Sequence, residues 1–510
     1  MSQDKLQFQF PSQTKKWTTA LMAIGGVSAA LGWFADKTEH HQYWWAMLLI
    51  SGFFFFAIAL GVLFFYSLQY AAEVAWSALL KRLFEAIFSY IPYGLGVIVL
   101  VLLVGQFHGH HLYHWMDSSV YDPASENYDE IIAGKEAYFT PMFFWLRVVA
   151  YAAVFVGFAR YFRKWSLQED ALGGTEIHYK MYKKGATFLV LFAVFSSTMA
   201  WDWLMSIDTH WYSTMYGWYI FAGMWVTAMT MATLILVWLR GKGYYAMMNE
   251  SHIHDMGKWM FAISMLWSYL WFCQYMLIWY SDIPEEITYF KERYDHYMVL
   301  MWTIFAVNFV VPFYTLISRD AKRNTKYLTR VGVIILIGHF ADLYLAVIPG
   351  TIHGHLLWGF GEDKQTIEST IILNEDFKKE STVEFMSNHY LDTTKLGSGE
   401  FKLLDEKVSG SCCTLTELKS DSDVAMNLVA DAVLLESKSK VDDYMELRAE
   451  IKAEHEMHEK YAVDFGLWFE IGMLLGFLGL FLRVVLTTLT KAPLIPKNHP
   501  FLQESENHHI

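Results

Sequence analysis

The chain has 510 residues, 54% of them hydrophobic and 17% aromatic, with a formal net charge of −13 and a mean hydropathy of +0.23. So apolar a composition excludes an ordinary soluble enzyme, while 18% charged residues demands substantial polar loops or a polar insertion. Three cysteines exclude a four-thiolate iron–sulfur set, and there is no CxxCH run for covalent haem.

Lys15 and Lys16 precede the first apolar run, about residues 17–34, which carries Trp17, Trp33 and Phe34 and lacks a small-residue cleavage site; it is expected to stay attached as a span. Nine more runs follow, at about 44–66, 87–107, 141–162, 185–207, 212–239, 257–280, 297–318, 331–348 and 466–489. A spanning helix needs about 20 apolar residues, so ten spans are expected, the shorter ones tilted or set in thinned lipid. The fold class is an all-α polytopic membrane protein. Its expected organisation is a membrane domain over 1–359, an acidic insertion over 360–460, and a tenth span with its tail over 461–510.

Basic residues fall on alternate connections. The termini and even-numbered connections carry 22 Lys and Arg, including Lys81, Arg82, Arg163 and Lys322, against Lys37, Lys135, Lys291 and Arg293 on the short odd-numbered ones. Because basic loops are retained on the cytoplasmic side, both termini are expected in the cytoplasm and 360–460 in the periplasm. Helical spacing near the end of that insertion points to a solvated cap or docking surface, and the adjacent Cys412 and Cys413 are poorly placed to bond each other.

Ionisable groups at membrane depth are costly and mark candidate sites. Entering from the cytoplasm, the fifth span reaches Asp202 after about 17 residues, or roughly 25 Å of helix, which places it in the outer third. Arg147 lies at similar depth in the fourth span, with His108 and His210 near the same surface; one polar cluster or a purely structural Arg147–Asp202 pair both fit. His210 sits in a tight turn, where capping is the alternative. His339 and Asp342, three residues apart in mid-span, project from one helical face, and Asn308 of the eighth span is placed to meet them. A neutral His beside a carboxylate in low dielectric suits proton relay. Glu73 and Gln69 extend the second span toward the cytoplasm, as a proton entrance or a snorkelling face. His252, His254 and Asp255 read as a helix start. A haem pair at His339 and His353 is discounted, since Pro349 and Gly350 are expected to break that helix. No Gly-rich phosphate loop occurs.

A weak internal repeat relates the segments AYFTPMFFWLR and RYDHYMVLMW, each followed by a basic inner loop and a span with a buried Asp, Asp202 or Asp342. It suggests units of spans two to five and six to nine. The strings WDWLMSIDTHWYSTMYGWYIFAGMW, HDMGKWMFA, QYMLIWYSDIPEE and KAPLIPKNHPF resemble the ActF subunits of alternative complex III, a bacterial quinol to cytochrome c oxidoreductase, within the NrfD-like (polysulfide-reductase-type) membrane subunit family. The resemblance implies two four-helix bundles plus peripheral helices, a place in the bacterial inner membrane, and multihaem cytochrome c, iron–sulfur, lipoprotein and second NrfD-like subunits as partners. It further implies a scaffold or proton-conducting subunit with no redox cofactor of its own, the haem c and iron–sulfur clusters being held by partners and quinol oxidised mainly at the other NrfD-like subunit, beside the iron–sulfur protein. No nucleic acid partner is expected. A direct quinone-binding subunit, with an apolar pocket headed by His or Asp, and a stand-alone secondary transporter, with discontinuous helices around a closed site, are the rival expectations.

Overall fold

A computed structural model describes residues 6–356 and 468–509, apart from Lys37 and Glu126. Cys412, Cys413 and the 360–460 insertion lie outside the described residues. All regular structure among the described residues is helical, and ten helices are long and apolar enough to cross a membrane: Ser12–Ala35, Gln42–Ala71, Trp76–Gln106, Pro141–Leu172, Glu176–Ile207, Thr214–Gly241, Glu250–Ser281, His296–Leu316, Thr325–Thr351 and Trp468–Leu489. We number them as spans one to ten. The protein is a multi-pass membrane protein.

The second span, QYWWAMLLISGFFFFAIALGVLFFYSLQYA, has no polar face to turn toward solvent, and it is almost wholly buried at the centre of the molecule. It packs on the third, fifth, sixth and tenth spans. The fourth packs on the third and fifth; the seventh packs on the sixth and on the end of the eighth, and the ninth meets the eighth where Asn308 lies against Gly338. Spans two to five and six to nine are thus two groups of neighbours, joined where the sixth meets the second and fifth. The first and tenth spans pair on the periphery through a seam of small residues. A Cβ on Gly25 would lie 2.2 Å from Gly476 Cα, so close backbone approach replaces side-chain interdigitation there.

Two expectations are corrected. Lys81 and Arg82, expected on the connection between the second and third spans, lie within the third span, which begins as a 3₁₀ turn at Trp76–Leu80 and continues as Lys81–Phe88, and both cations are buried. Pro349 and Gly350 do not break the ninth helix, which runs on through Thr325–Leu356. Proline at 349 removes the amide that would bond to the Leu345 carbonyl. Arg293 replaces that donor, giving Nε to Leu345 O at 3.0 Å and Nη2 to Ala346 O at 3.2 Å. Freed carbonyls in a membrane helix need such a partner. His353 therefore lies on the same continuous helix as His339, its side chain outside the described residues.

The eighth span is irregular for the same reason. Pro312 cannot donate to the Asn308 carbonyl, and the residues before it, Ala306–Val310, form a π-helical turn. Asn308 sits within it.

Candidate functional site

Arg147 and Asp202 meet as the sequence suggests, in a bidentate pair. Arg147 donates from Nε to Asp202 Oδ2 at 2.8 Å and from Nη2 to Oδ1 at 2.9 Å, and Tyr151 donates its hydroxyl to Oδ2 at 2.7 Å. The remaining guanidinium nitrogen donates to Tyr138 O at 3.0 Å, and the ring of Tyr138 stacks 3.9 Å from the guanidinium carbon. Both charges are matched and their donors used. Such a pair fastens the fourth span to the fifth.

His210 and His108 do not join it. His210, exposed, pairs with Asp129 at 2.5 Å, while Lys135 donates to the neighbouring Thr209 carbonyl at 2.6 Å. His108 is exposed at the end of the third span, its ring 6.4 Å from that of His111. Neither belongs to a buried site.

The central site is built differently. Asp342 Oδ1 accepts from the Tyr219 hydroxyl and Oδ2 accepts from Trp267 Nε1 at 3.1 Å. His339 Nδ1 stands 3.8 Å from Asp342 Oδ2, too far for a hydrogen bond, and neither ring nitrogen has a partner among the described residues although the side chain is buried. A cavity of about 30 Å³, lined among others by Phe53, Phe54, Tyr219, Gly223, His339 and Asp342, lies between them. That is room for about one or two water molecules. Asn308 reaches the residue before His339 and bonds to neither; its amide is buried and unpartnered among the described residues. Tyr219 and Trp267 were invisible as site residues in the sequence, because an aromatic in an apolar helix signals packing.

A second arginine site was read as a loop. Arg293, buried, donates Nη2 to Asp208 Oδ2 at 3.2 Å and Nη1 to Tyr289 O at 2.8 Å, while the Tyr289 ring lies 3.2 Å from its guanidinium carbon. Asp208 approaches the ninth helix at Gly350, where a Cβ would come within 2.3 Å of Oδ1. Glycine there is required by the contact, not by the helix.

At the end of the molecule that carries both termini, a dense ionic cluster was also missed. Glu85 accepts from Arg82 at 2.7 Å, from Arg163 at 2.5 Å and from the Ser166 hydroxyl; Glu169 pairs with Lys81 and Asp170 with Arg82. Three cations face three carboxylates, so the buried set is neutral. The signal was present in the sequence as KRLFE and RKWSLQED, opposite charges at helical spacing on two segments. Beside it a cavity of about 20 Å³ is lined by Gln69, Tyr70, Lys81, His178 and His499, among others. Glu73, with φ of 50° and half-exposed, stands 4.0 Å from His178 Nε2.

Glu169, His178 and His499 present ligand atoms within 4.8 Å of one another. They fit a divalent ion poorly. The Lys81 ammonium already neutralises Glu169, and His499 Nδ1 accepts from Phe501 N at 3.2 Å, which in a neutral ring leaves the proton on Nε2.

His499 belongs to the C-terminal tail, which is tied down by Lys497 N to Asp170 Oδ1 at 3.0 Å and Ser505 Oγ to Trp76 O at 2.7 Å. Burial, with Lys81 nearby, pushes its imidazole down to about 2, and burial pushes His110 down to about 4. Both are neutral in the fold, with His110 Nε2 donating to Val101 O at 2.9 Å. Groups depressed below their unfolded value near 6.5 stabilise fully above that pH and lose the contribution as pH falls. Thermal stability of the purified protein should therefore decline below about pH 6.5, by up to about 1.4 kcal/mol per pH unit for each histidine, and His499→Gln should flatten the decline. A profile unchanged by His499→Gln would place the acid sensitivity elsewhere.

Neither a protein-family model nor a curated protein matches the sequence.

Proposed function

We propose that the chain is a membrane subunit of a quinol-oxidising respiratory complex of the alternative complex III kind, a scaffold that also conducts protons through His339 and Asp342. The observation that carries the proton role is the buried His339, whose two ring nitrogens are unpartnered beside a water-sized cavity and a carboxylate held by Tyr219 and Trp267. A neutral imidazole takes a proton on one nitrogen and releases one from the other, and a water between it and Asp342 completes the transfer. Redox chemistry falls to the multihaem, iron–sulfur and second NrfD-like partners that the sequence resemblance implies. The cavity favours protons over quinone as the species handled here, since about 30 Å³ is a tenth or less of the roughly 300–1,000 Å³ of ordinary small-molecule pockets.

Asp342→Asn keeps the shape, lets its one carbonyl oxygen accept from Trp267 Nε1 while its amide donates to the Tyr219 oxygen, and removes the titrating group. The complex should assemble and oxidise quinol while proton uptake or release per electron changes; unchanged stoichiometry and turnover would reduce the subunit to scaffold.

The same reading puts both termini in the cytoplasm of a bacterial inner membrane and residues 360–460 in the periplasm. Cys412 and Cys413 should then react in intact cells with a thiol reagent that cannot cross that membrane. Labelling confined to lysed cells, with the cysteines shown accessible there, reverses the orientation.

A further inference from the structure

The first and tenth spans pair tightly along their small-residue seam, which continues toward the end that carries both termini, where Gly479 meets the Thr18 carbonyl and Met22. There they leave an open groove of about 430 Å³ lined by Lys15, Lys16, Thr19, Ala20, Ala23 and Arg483. Its chemistry is lopsided. Three cations gather at the mouth, while the first span contains no acidic residue and the tenth has only Glu470, buried at its opposite end. The cations are held together: Arg483 donates Nη1 to Lys15 O at 3.4 Å, and Lys15 Nζ and the Arg483 guanidinium lie 5.5 Å and 5.4 Å from the same Phe10 ring.

Below the mouth the groove becomes apolar. Lys16, Thr19 or Ala20, and Ala23 recur at the spacing of one helical face, so a furrow of small side chains leads from the charges into the hydrocarbon layer. Trp17, 64% exposed, stands at the level of the lysines, the position that interfacial aromatics take. Like charges on adjacent helices repel unless an anion lies between them, and a charged mouth above an apolar furrow matches a molecule with a phosphate head and acyl tails.

We propose that this groove binds an anionic phospholipid from the leaflet at the termini end, with its phosphate between Lys15, Lys16 and Arg483 and one acyl chain along Ala20 and Ala23. Basic pockets between membrane helices bind such headgroups, and each cation near a surface adds appreciably to the attraction. The site is separate from the proton-carrying groups, so its test stands whether or not the chain conducts protons.

The test is native mass spectrometry of the full-length protein in neutral detergent, titrated with a phosphatidylglycerol or a phosphatidylcholine of identical chains. The first phosphatidylglycerol should bind about tenfold more tightly than the first phosphatidylcholine. Lys15→Gln, Lys16→Gln and Arg483→Gln together should abolish the preference. Ala23→Trp keeps all three charges and fills the furrow, and it should weaken phosphatidylglycerol as well; all four positions are solvent- or lipid-facing, and a monodisperse, spectrally normal variant is required before titration. Equal affinity for the two lipids in the wild type, or a preference that survives the triple substitution, overturns the proposal. So does loss of bound phosphatidylglycerol to inorganic phosphate at constant ionic strength, which would make the site a phosphate site without a tail.

Discussion

Arg147→Ala should destabilise the protein by about 3–5 kcal/mol, the usual cost of leaving a buried charge without its partner. Asp202 is fully buried and accepts three hydrogen bonds, two of them from Arg147. Removing the guanidinium strands the carboxylate with only Tyr151, and takes away the cation that stacks on Tyr138 and Phe143. The loss should appear as a large fall in thermal unfolding temperature and in yield of assembled protein. Arg147→Lys should restore little, because an ammonium cannot reproduce the planar two-point contact. Replacing both residues with apolar side chains of similar volume should recover much of the stability. An Arg147→Ala protein with wild-type unfolding temperature would mean that the pair is not what joins the fourth and fifth spans.

Arg293→Met should cost about 3 kcal/mol or more, and the loss should shrink by about 1–2 kcal/mol when Pro349 is also replaced by Ala. Arg293 serves two needs at once. It neutralises Asp208, and it donates to the Leu345 carbonyl that the proline leaves without an amide and to the Ala346 carbonyl beside it. Alanine at 349 supplies its own amide to Leu345, so one of the two needs disappears. The coupling is read from a double-mutant cycle in thermal unfolding. Strictly additive losses would confine Arg293 to its pairing with Asp208 and its stacking on Tyr289.

These two arginines also show where the residues are informative and where they are silent. Arg147 was placed correctly because it falls inside an apolar run, where a charge has few reasons to be and a carboxylate at equal depth is its natural partner. Arg293 ends an acidic, polar stretch, PEEITYFKER, that reads as a connection; nothing local shows that the helix starting at Pro284 carries it against the ninth span. Pro349 misled for a related reason. A proline breaks a helix when its lost hydrogen bond goes unreplaced, and the replacement here comes from a residue 56 positions away in sequence, Arg293.

The ten spans among the described residues and the placement of His339 and Asp342 together were legible, since each depends on a local property: an apolar run of bilayer length, or a spacing that puts two side chains on one face of one helix. Contacts between helices were not. Whether a given tyrosine or tryptophan packs, faces lipid or donates to a buried carboxylate depends on the rotation of its helix about its own axis, and apolar spans such as the sixth, with Tyr219, carry almost no polar pattern from which that rotation can be read. The same holds for Lys81, Arg82 and Glu85, which look like a solvated loop until the segment Arg163–Asp170 and the C-terminal tail close over them. Only packing decides which charges meet, because the energy that makes burial tolerable belongs to the pair and not to either residue.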